Sequence, residues 1–295
     1  MAKTKAQPQR PKLLPQPALE NLMDGEVIKI YVVCDDILRA LGVTDDPQAK
    51  MAHAEVMSFA ILSSRLMHGN HQRTRWLCLR LGYYKKILSP SRMNRRLHQL
   101  PLQVWAIVFR CLAQLFHKRT GAFEFCVDSF PVHSCAKSRI DRHKIFVGKQ
   151  YLGYAASKRK YFCGLKVHMI VTTDGYPVEL LIRPASENDL SVLWKMKLEL
   201  PKGSILYADG AYNSYELEDI LLKDENLQLL AKRKANSLRP HHVEVQRSIS
   251  SKRQRIETSF SQITALLPST IRARTQKGFL IRLLASILAH CISLL

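Results

Sequence analysis

The periodicity of apolar and polar positions changes near residue 121. From about residue 27 to 119 the apolar residues recur at helical spacing, with little strand-like alternation. This spacing predicts helices near 27–41, 48–67, 73–88, 90–99 and 101–118. Ser89-Pro90 marks the start of the fourth, with Ser as N-cap and Pro at the first helical position. Beyond 121 the pattern predicts an apolar strand at 122–128, then a long loop over 137–160 broken by Gly148 and Gly153. A hairpin follows, Tyr161–Thr172 and Tyr176–Ile182, joined at Asp174-Gly175, a strong short-range hairpin signal. Ser186-Glu187-Asn188-Asp189 caps a helix running to about Leu200, and Ser204–Ala208 is the next strand. A helix near Ser214–Lys223, a short strand Gln228–Leu230 and a long helix from about Val245 to Leu267 complete the alternation. The last apolar stretch, Phe279–Leu295, has 17 residues and includes Arg282 and His290. It falls short of the ~20 a spanning helix needs, so it reads as a buried terminal helix of a soluble chain. The division is a tail at 1–20, an all-α domain at 21–120 and an α/β domain at 121–295.

Charge sharpens this division. The 295 residues carry 45 Lys and Arg against 24 Asp and Glu, a formal net charge of +21. An excess of that size points to a polyanion, with nucleic acid the first candidate and an anionic membrane or a merely solubilising charge the alternatives. Its distribution favours nucleic acid. Between Glu55 and Glu124 there is no acidic residue, while that interval holds twelve Lys or Arg. Arg92, Arg95 and Arg96 follow the Ser-Pro-Ser turn, as they would in a helix-turn-helix-like reader of DNA. The other reading is a helical bundle whose cations only grip phosphates; spacing does not separate the two. The stretch 137–160 has eight Lys or Arg, among them Lys158, Arg159 and Lys160, against the single acid Asp141, and reads as a loop at the DNA. The tail carries Lys3, Lys5, Arg10 and Lys12, no acid and four prolines, the composition of a flexible segment.

Seven cysteines are present, an odd number, with no Cys-x-x-Cys spacing and no His partner at zinc-finger distance. This predicts a reducing setting without structural disulfides or zinc.

Three carboxylates carry the candidate chemistry. Asp128 interrupts the apolar run Phe-Glu-Phe-Cys-Val-Asp (123–128), and Asp209 closes Ile-Leu-Tyr-Ala-Asp (205–209) before Gly210. A carboxylate at the end of a buried strand is costly unless a cation, hydrogen bonds or water compensate it. Glu257 lies beside the helical stripe Ile249, Ile256, Phe260 and Ile263, about 60° around the helix from Phe260. Two strand ends and a helical Glu can hold a pair of divalent cations, the apparatus of in-line phosphoryl transfer. Each residue also has a plainer role: Asp128 as a turn cap, Asp209 in an Asp-Gly turn, Glu257 as the surface partner of Arg253 at i−4. Of the remaining acids, Asp174 belongs to the hairpin turn, Glu187 and Asp189 to a cap, and Glu216, Glu218 and Asp219 to an exposed helix. Asp141 is the one substitute. Lys166 and His168 share one strand face and approach DNA in this reading.

The segments Val-Asp-Ser-Phe-Pro-Val (127–132), Leu-Tyr-Ala-Asp-Gly-Ala-Tyr (206–212) and Arg-Ile-Glu-Thr-Ser-Phe-Ser (255–261) resemble the three catalytic motifs of bacterial insertion-sequence DDE transposases, most closely the IS982 family. The resemblance extends upstream to Leu-Ser-Pro-Ser-Arg-Met-Asn-Arg-Arg-Leu (88–97). It implies an RNase H-like catalytic domain, a mixed sheet flanked by helices, preceded by an all-α DNA-binding domain. It further implies that Asp128, Asp209 and Glu257 bind two Mg²⁺ or Mn²⁺ ions. The partners it implies are double-stranded DNA, as terminal inverted repeats and target, and a second copy of the chain in the synaptic complex. The setting it implies is the bacterial cytoplasm, at the nucleoid. Related families carry Tyr-x2-Arg-x3-Glu-x6-Lys around the Glu. Arg253 fits the Arg position and is assigned to DNA, but Ser250 and Thr264 stand where Tyr and Lys would be. The resemblance therefore does not reach the hairpin-handling role tied to that signature.

The expected activity is metal-dependent cleavage at the element ends followed by strand transfer. A nuclease or resolvase of the same fold that cuts without joining, or a non-catalytic DNA-binding protein, are the alternatives.

Overall fold

The computed structural model describes residues 16–155 and 159–295. Lys3, Lys5, Arg10, Lys12 and Lys158 lie outside the described residues. The helical spacing of the first part becomes α1 (Gln16–Ala40), α2 (His53–Met67), α3 (His71–Leu81), α4 (Pro90–Gln99) and α5 (Leu102–Thr120). Helix α1 takes in the last residues assigned to the tail. Helix α3 ends seven residues earlier than the periodicity predicts, because Gly82 at φ +69° closes it in a left-handed C-cap. Ser89 and Pro90 occupy the N-cap and first position of α4.

The second part is a mixed sheet flanked by helices. Its strands are β1 (Glu124–Ala136), β2 (Leu152–Ala155), β3 (Lys160–Thr172), β4 (Pro177–Pro184), β5 (Ile205–Ala208) and β6 (Gln228–Ala231). Their order is β2-β3-β1-β5-β6, and β4 also pairs β3. Strand β3 is antiparallel to β1, β2 and β4, whereas β5 and β6 run parallel to β1. The Asp174-Gly175 turn forms as expected, with Gly175 at φ +94° and Ser259 Oγ donating to its carbonyl at 2.7 Å. Helices α6 (Asp189–Leu193), α7 (Tyr215–Asp224), α8 (Val243–Leu266) and α9 (Gln276–Ser293) complete the chain.

Three expectations change. Strand β1 continues well past residue 128, through Pro131. Strand β5 pairs with β1 only up to Val127, so the proline sits where one edge of β1 is open and a missing N–H is tolerated. The expected loop at 137–160 is partly structured: two 3-10 turns (Lys137–Arg142 and Lys149–Tyr151) lead into β2, and Phe146 is buried edge-on against Phe279. Gly153 is no loop break. A Cβ there would meet Ala185 Cβ and the Phe162 ring at under 3 Å. Helix α6 stops near Leu193 instead of Leu200. From Met196 to Leu200 half-buried and exposed residues alternate, as in extended chain, and Pro201 disfavours helix before it.

Among the described residues most buried apolar side chains form one core from Val27 to Ile292, with Ala155, Phe162 and Ala185 in a small separate cluster. Helix α8 packs on β1, β3 and β5, while α9 lies against α1, α2, α4, α5 and α8. The last helix is thus shared between the N-terminal helices and the layer that covers the sheet. No single helix among the described residues is long and apolar enough to cross a membrane.

Candidate active site

Parallel pairing of β1 and β5 brings two of the three carboxylates together. The register matches Val127 with Ala208, so Asp128 and Asp209 follow side by side at the carboxyl end of β5. Beyond this point β5 leaves the sheet in a 3-10 turn (Gly210–Tyr212), whose N-cap is Asp209, accepting from Ala211 N–H. A strand end where the chain departs is where α/β sheets gather ligands.

Helix α8 supplies the countercharge. Near the start of β1, Lys252 Nζ donates to Glu124 at 2.6 Å and Cys126 Sγ donates to the Lys252 carbonyl. These contacts fix the helix so that the next residue, Arg253, faces the two carboxylates. Its Nη2 donates to Asp128 Oδ2 at 2.8 Å and lies 3.8 Å from Asp209 Oδ2. Asp128 Oδ1 accepts from Ser129 N–H. Burial pushes the Asp128 carboxyl above the ordinary range; Ser129 and Arg253 pull it back down, and Asp209 adds to the rise.

Glu257 is exposed on α8, one turn beyond Arg253, and makes no hydrogen bond or ion pair among the described residues. The expected surface pair with Arg253 is not formed, because Arg253 turns to Asp128. The three carboxylates do not close into one ligand set within 4.8 Å. Asp141 is exposed in the 3-10 turn after β1.

Sequence reasoning missed what lies beneath the Asp pair. Asp189 accepts at Oδ1 from Ser129 Oγ (2.9 Å) and from Lys166 Nζ (2.9 Å), with His168 Nδ1 at 3.6 Å. Lys166 and His168 were expected near DNA. His168 is fully buried, its imidazole pushed down to about 4 by burial, and Lys166 also donates to the Glu187 carbonyl. The cap assigned to Glu187 and Asp189 belongs to Asn188, whose side chain accepts from Leu190 N–H. Glu187 pairs with Arg183 and Lys195. Glu218, expected on an exposed face, pairs with buried Arg233. Tyr212 is buried beside the same carboxylates, its hydroxyl pushed well up by burial and then by Asp189, Asp128 and Asp209. The signal for this network is faint: an Asp two residues after an acid looks like capping, and only the β1–β3 pairing of Ser129 with His168 brings it home.

The candidate DNA contacts separate by environment. Arg92 and Arg95 are exposed on α4, as are Arg159 and Lys160 at the start of β3. Arg96 is half-buried and donates to Asp45, the Met51 carbonyl and Gln99.

Two adjoining carboxylates that repel each other, with hard oxygen donors and one guanidinium between them, fit a divalent cation of the magnesium type. The family described as a transposase DDE domain matches residues 118–271, a span that contains Asp128, Asp209 and Glu257. Neither a curated protein nor a solved structure matches the chain. A match over more than half of its length, across the strands and helix that carry these carboxylates, places the chain in the family of DDE-domain transposases, divalent-metal-dependent enzymes that act on DNA.

Proposed function

We propose that this transposase binds the terminal inverted repeats of its element, cuts at the element ends and joins the released 3′-hydroxyl to target DNA. The observation that carries the proposal is the pair Asp128 and Asp209, adjacent across parallel β1 and β5 and bridged by Arg253. The strand order, three antiparallel strands followed by two parallel ones, supports an RNase H-like architecture, and the motifs around the acids support the IS982 family. Asp128, Asp209 and Glu257 would hold two Mg²⁺ or Mn²⁺ ions, which when bound lower the pKa of water and neutralise charge on the phosphate.

The chain's own residues divide the remaining work. Asp128 and Asp209 present the paired negative charge that would hold the cations against the reacting phosphodiester. Glu257, exposed one turn from Arg253, closes the set when α8 shifts or its rotamer changes. Arg253 balances the Asp pair while no other cation does, then turns to the scissile phosphate, which reconciles its position with a role in DNA binding. Arg92 and Arg95 on α4, with Arg159 and Lys160 at the start of β3, meet the duplex. Arg96 holds α4 in place. A second copy of the chain completes the synaptic complex, one copy for each element end.

The test uses purified full-length protein, pre-cut element ends, a target plasmid and Mg²⁺. Joined products establish transposition. Cutting of intact ends without joining reduces the reading to a nuclease, and neither reaction with retained end binding reduces it to a DNA-binding protein.

A further inference from the structure

A second cluster of ligand-type side chains lies away from the carboxylates. Cys135 near the end of β1, Cys163 near the start of β3 and His143 after the first 3-10 turn each offer one ligand atom, and these atoms lie within 4.8 Å of one another. Three features of the fold assemble them. The β1–β3 register sets Cys135 opposite Cys163. A bulge between His133 and Cys135 shifts the pairing there, and such bulges re-aim side chains. The turn at Lys137–Arg142 then folds the chain back so that His143 reaches the strands.

We propose that Cys135, His143 and Cys163 bind a borderline divalent cation of the zinc class. Two thiolates and an imidazole are the donors such a cation takes, and they are a poor set for magnesium. Bonds of about 2.0–2.3 Å in a tetrahedron set ligand atoms roughly 3.5–3.8 Å apart, so the cluster needs to contract by no more than about an ångström. The surrounding contacts hold the ligands. Ser134 Oγ is hydrogen-bonded to His143 Nε2 at 2.7 Å, fixing the ring and leaving Nδ1 for the metal; the Cys163 thiol donates to the Phe146 carbonyl, a bond it gives up when it ionises to ligate. Outer partners of this kind orient metal ligands. Cys135 and His143 line a cleft shared with Arg139, Arg142, Lys144, Arg272 and Arg274, from which water or an anion would complete the tetrahedron. The cation fastens the basic segment between β1 and β2 to the sheet edge. The site was not legible in the sequence because its three ligands follow no finger-like spacing.

The test uses the full-length protein, purified reduced and without added metal. Elemental mass spectrometry is expected to find zinc retained at about one per chain. Cobalt(II) added to the metal-stripped protein is expected to give thiolate-to-cobalt charge-transfer bands, absent in Cys135→Ser and Cys163→Ser. The bands should remain in Cys111→Ser, a half-buried thiol on α5 outside the cluster, and in Asp128→Ala, which separates this site from the carboxylates. Removing the metal is expected to speed amide exchange over residues 138–151 in the wild type, a readout independent of whether the variants fold. Absence of the bands in folded wild-type protein overturns the proposal. So does their persistence in both ligand variants, or a Cys135–Cys163 disulfide in metal-free protein with unchanged exchange.

Discussion

Arg253 donates to Asp128 at 2.8 Å, across from β1, while Glu257 on the next turn of its own helix has no partner among the described residues. A surface pair four residues apart contributes only a few tenths of a kcal/mol. A guanidinium facing a largely buried carboxylate gains more, because that carboxylate has lost water. The helix therefore gives its cation to the sheet and keeps its acid free, as the proposed role of Glu257 requires.

Replacing Asp128, Asp209 or Glu257 singly by Ala is expected to lower cleavage by roughly 10²–10³-fold or more, the scale of losing one oriented charge at the reacting phosphate. Binding of end DNA should change little. Gel shifts and plasmid-nicking assays on the same preparations check both halves. Wild-type cutting by Glu257→Ala would leave Glu257 as a surface residue and move attention to Asp141.

Arg253→Ala removes a group that pulls the Asp128 carboxyl down, so the Asp128 pKa, already raised by burial, is expected to rise further. A group raised in the folded state contributes stability that is full below its unfolded pKa and declines as pH rises through the folded one. The variant should therefore lose stability between about pH 4 and neutrality relative to wild type. Carboxyl NMR titration and denaturant melts across that range measure it, and added Mg²⁺ should restore part of the loss.

Acid should destabilise the wild type through buried histidines. Burial lowers His168 and His290 to about 4 and His71 to about 3. Depressed groups contribute stability present above about 6.5, the unfolded value, and lost as pH falls toward their folded values. Glu179, pushed up to about 7 by burial, acts the other way. Glu179→Gln is thus expected to steepen the loss of stability between about pH 6.5 and 4, read from urea midpoints at several pH values.

Asp189→Asn weakens its hydrogen bonds with Ser129 and Lys166 beneath the Asp pair. A cost of about 1–3 kcal/mol is expected, since Lys166 keeps only the Glu187 carbonyl as a full-strength acceptor. Cleavage should fall while DNA affinity holds. An unchanged melting midpoint would show that the network is not sustaining the strand ends.

The cations on α4 should divide by environment. Arg92→Ala and Arg95→Ala are expected to weaken end binding and leave stability unchanged. Arg96→Ala should lower stability by about 1–2 kcal/mol, because its hydrogen bonds to Asp45 and Met51 go with the guanidinium. Neutralising exposed Arg159 and Lys160 should flatten the log–log salt dependence of binding by about 0.9 for each phosphate left unneutralised.

Periodicity and local chemistry determined much of this protein. The helices α1 to α5, the Asp174-Gly175 hairpin, the strand before Asp209 and the long α8 follow from side-chain spacing and turn residues, which act over a few positions. The acids flanked by apolar strands marked candidate positions because burying charge is costly wherever it occurs. Tertiary structure decided what depends on distant partners. It chose Asp128 over Glu257 for Arg253, drew Asp189 under the Asp pair through the register of β1 with β3, and turned Arg96 inward. It also set Cys135 against Cys163 and His143, and it laid α9 across both halves of the chain. None of these pairings has a local energetic signature, because each becomes favourable only after the sheet has aligned residues far apart in sequence and removed the water between them.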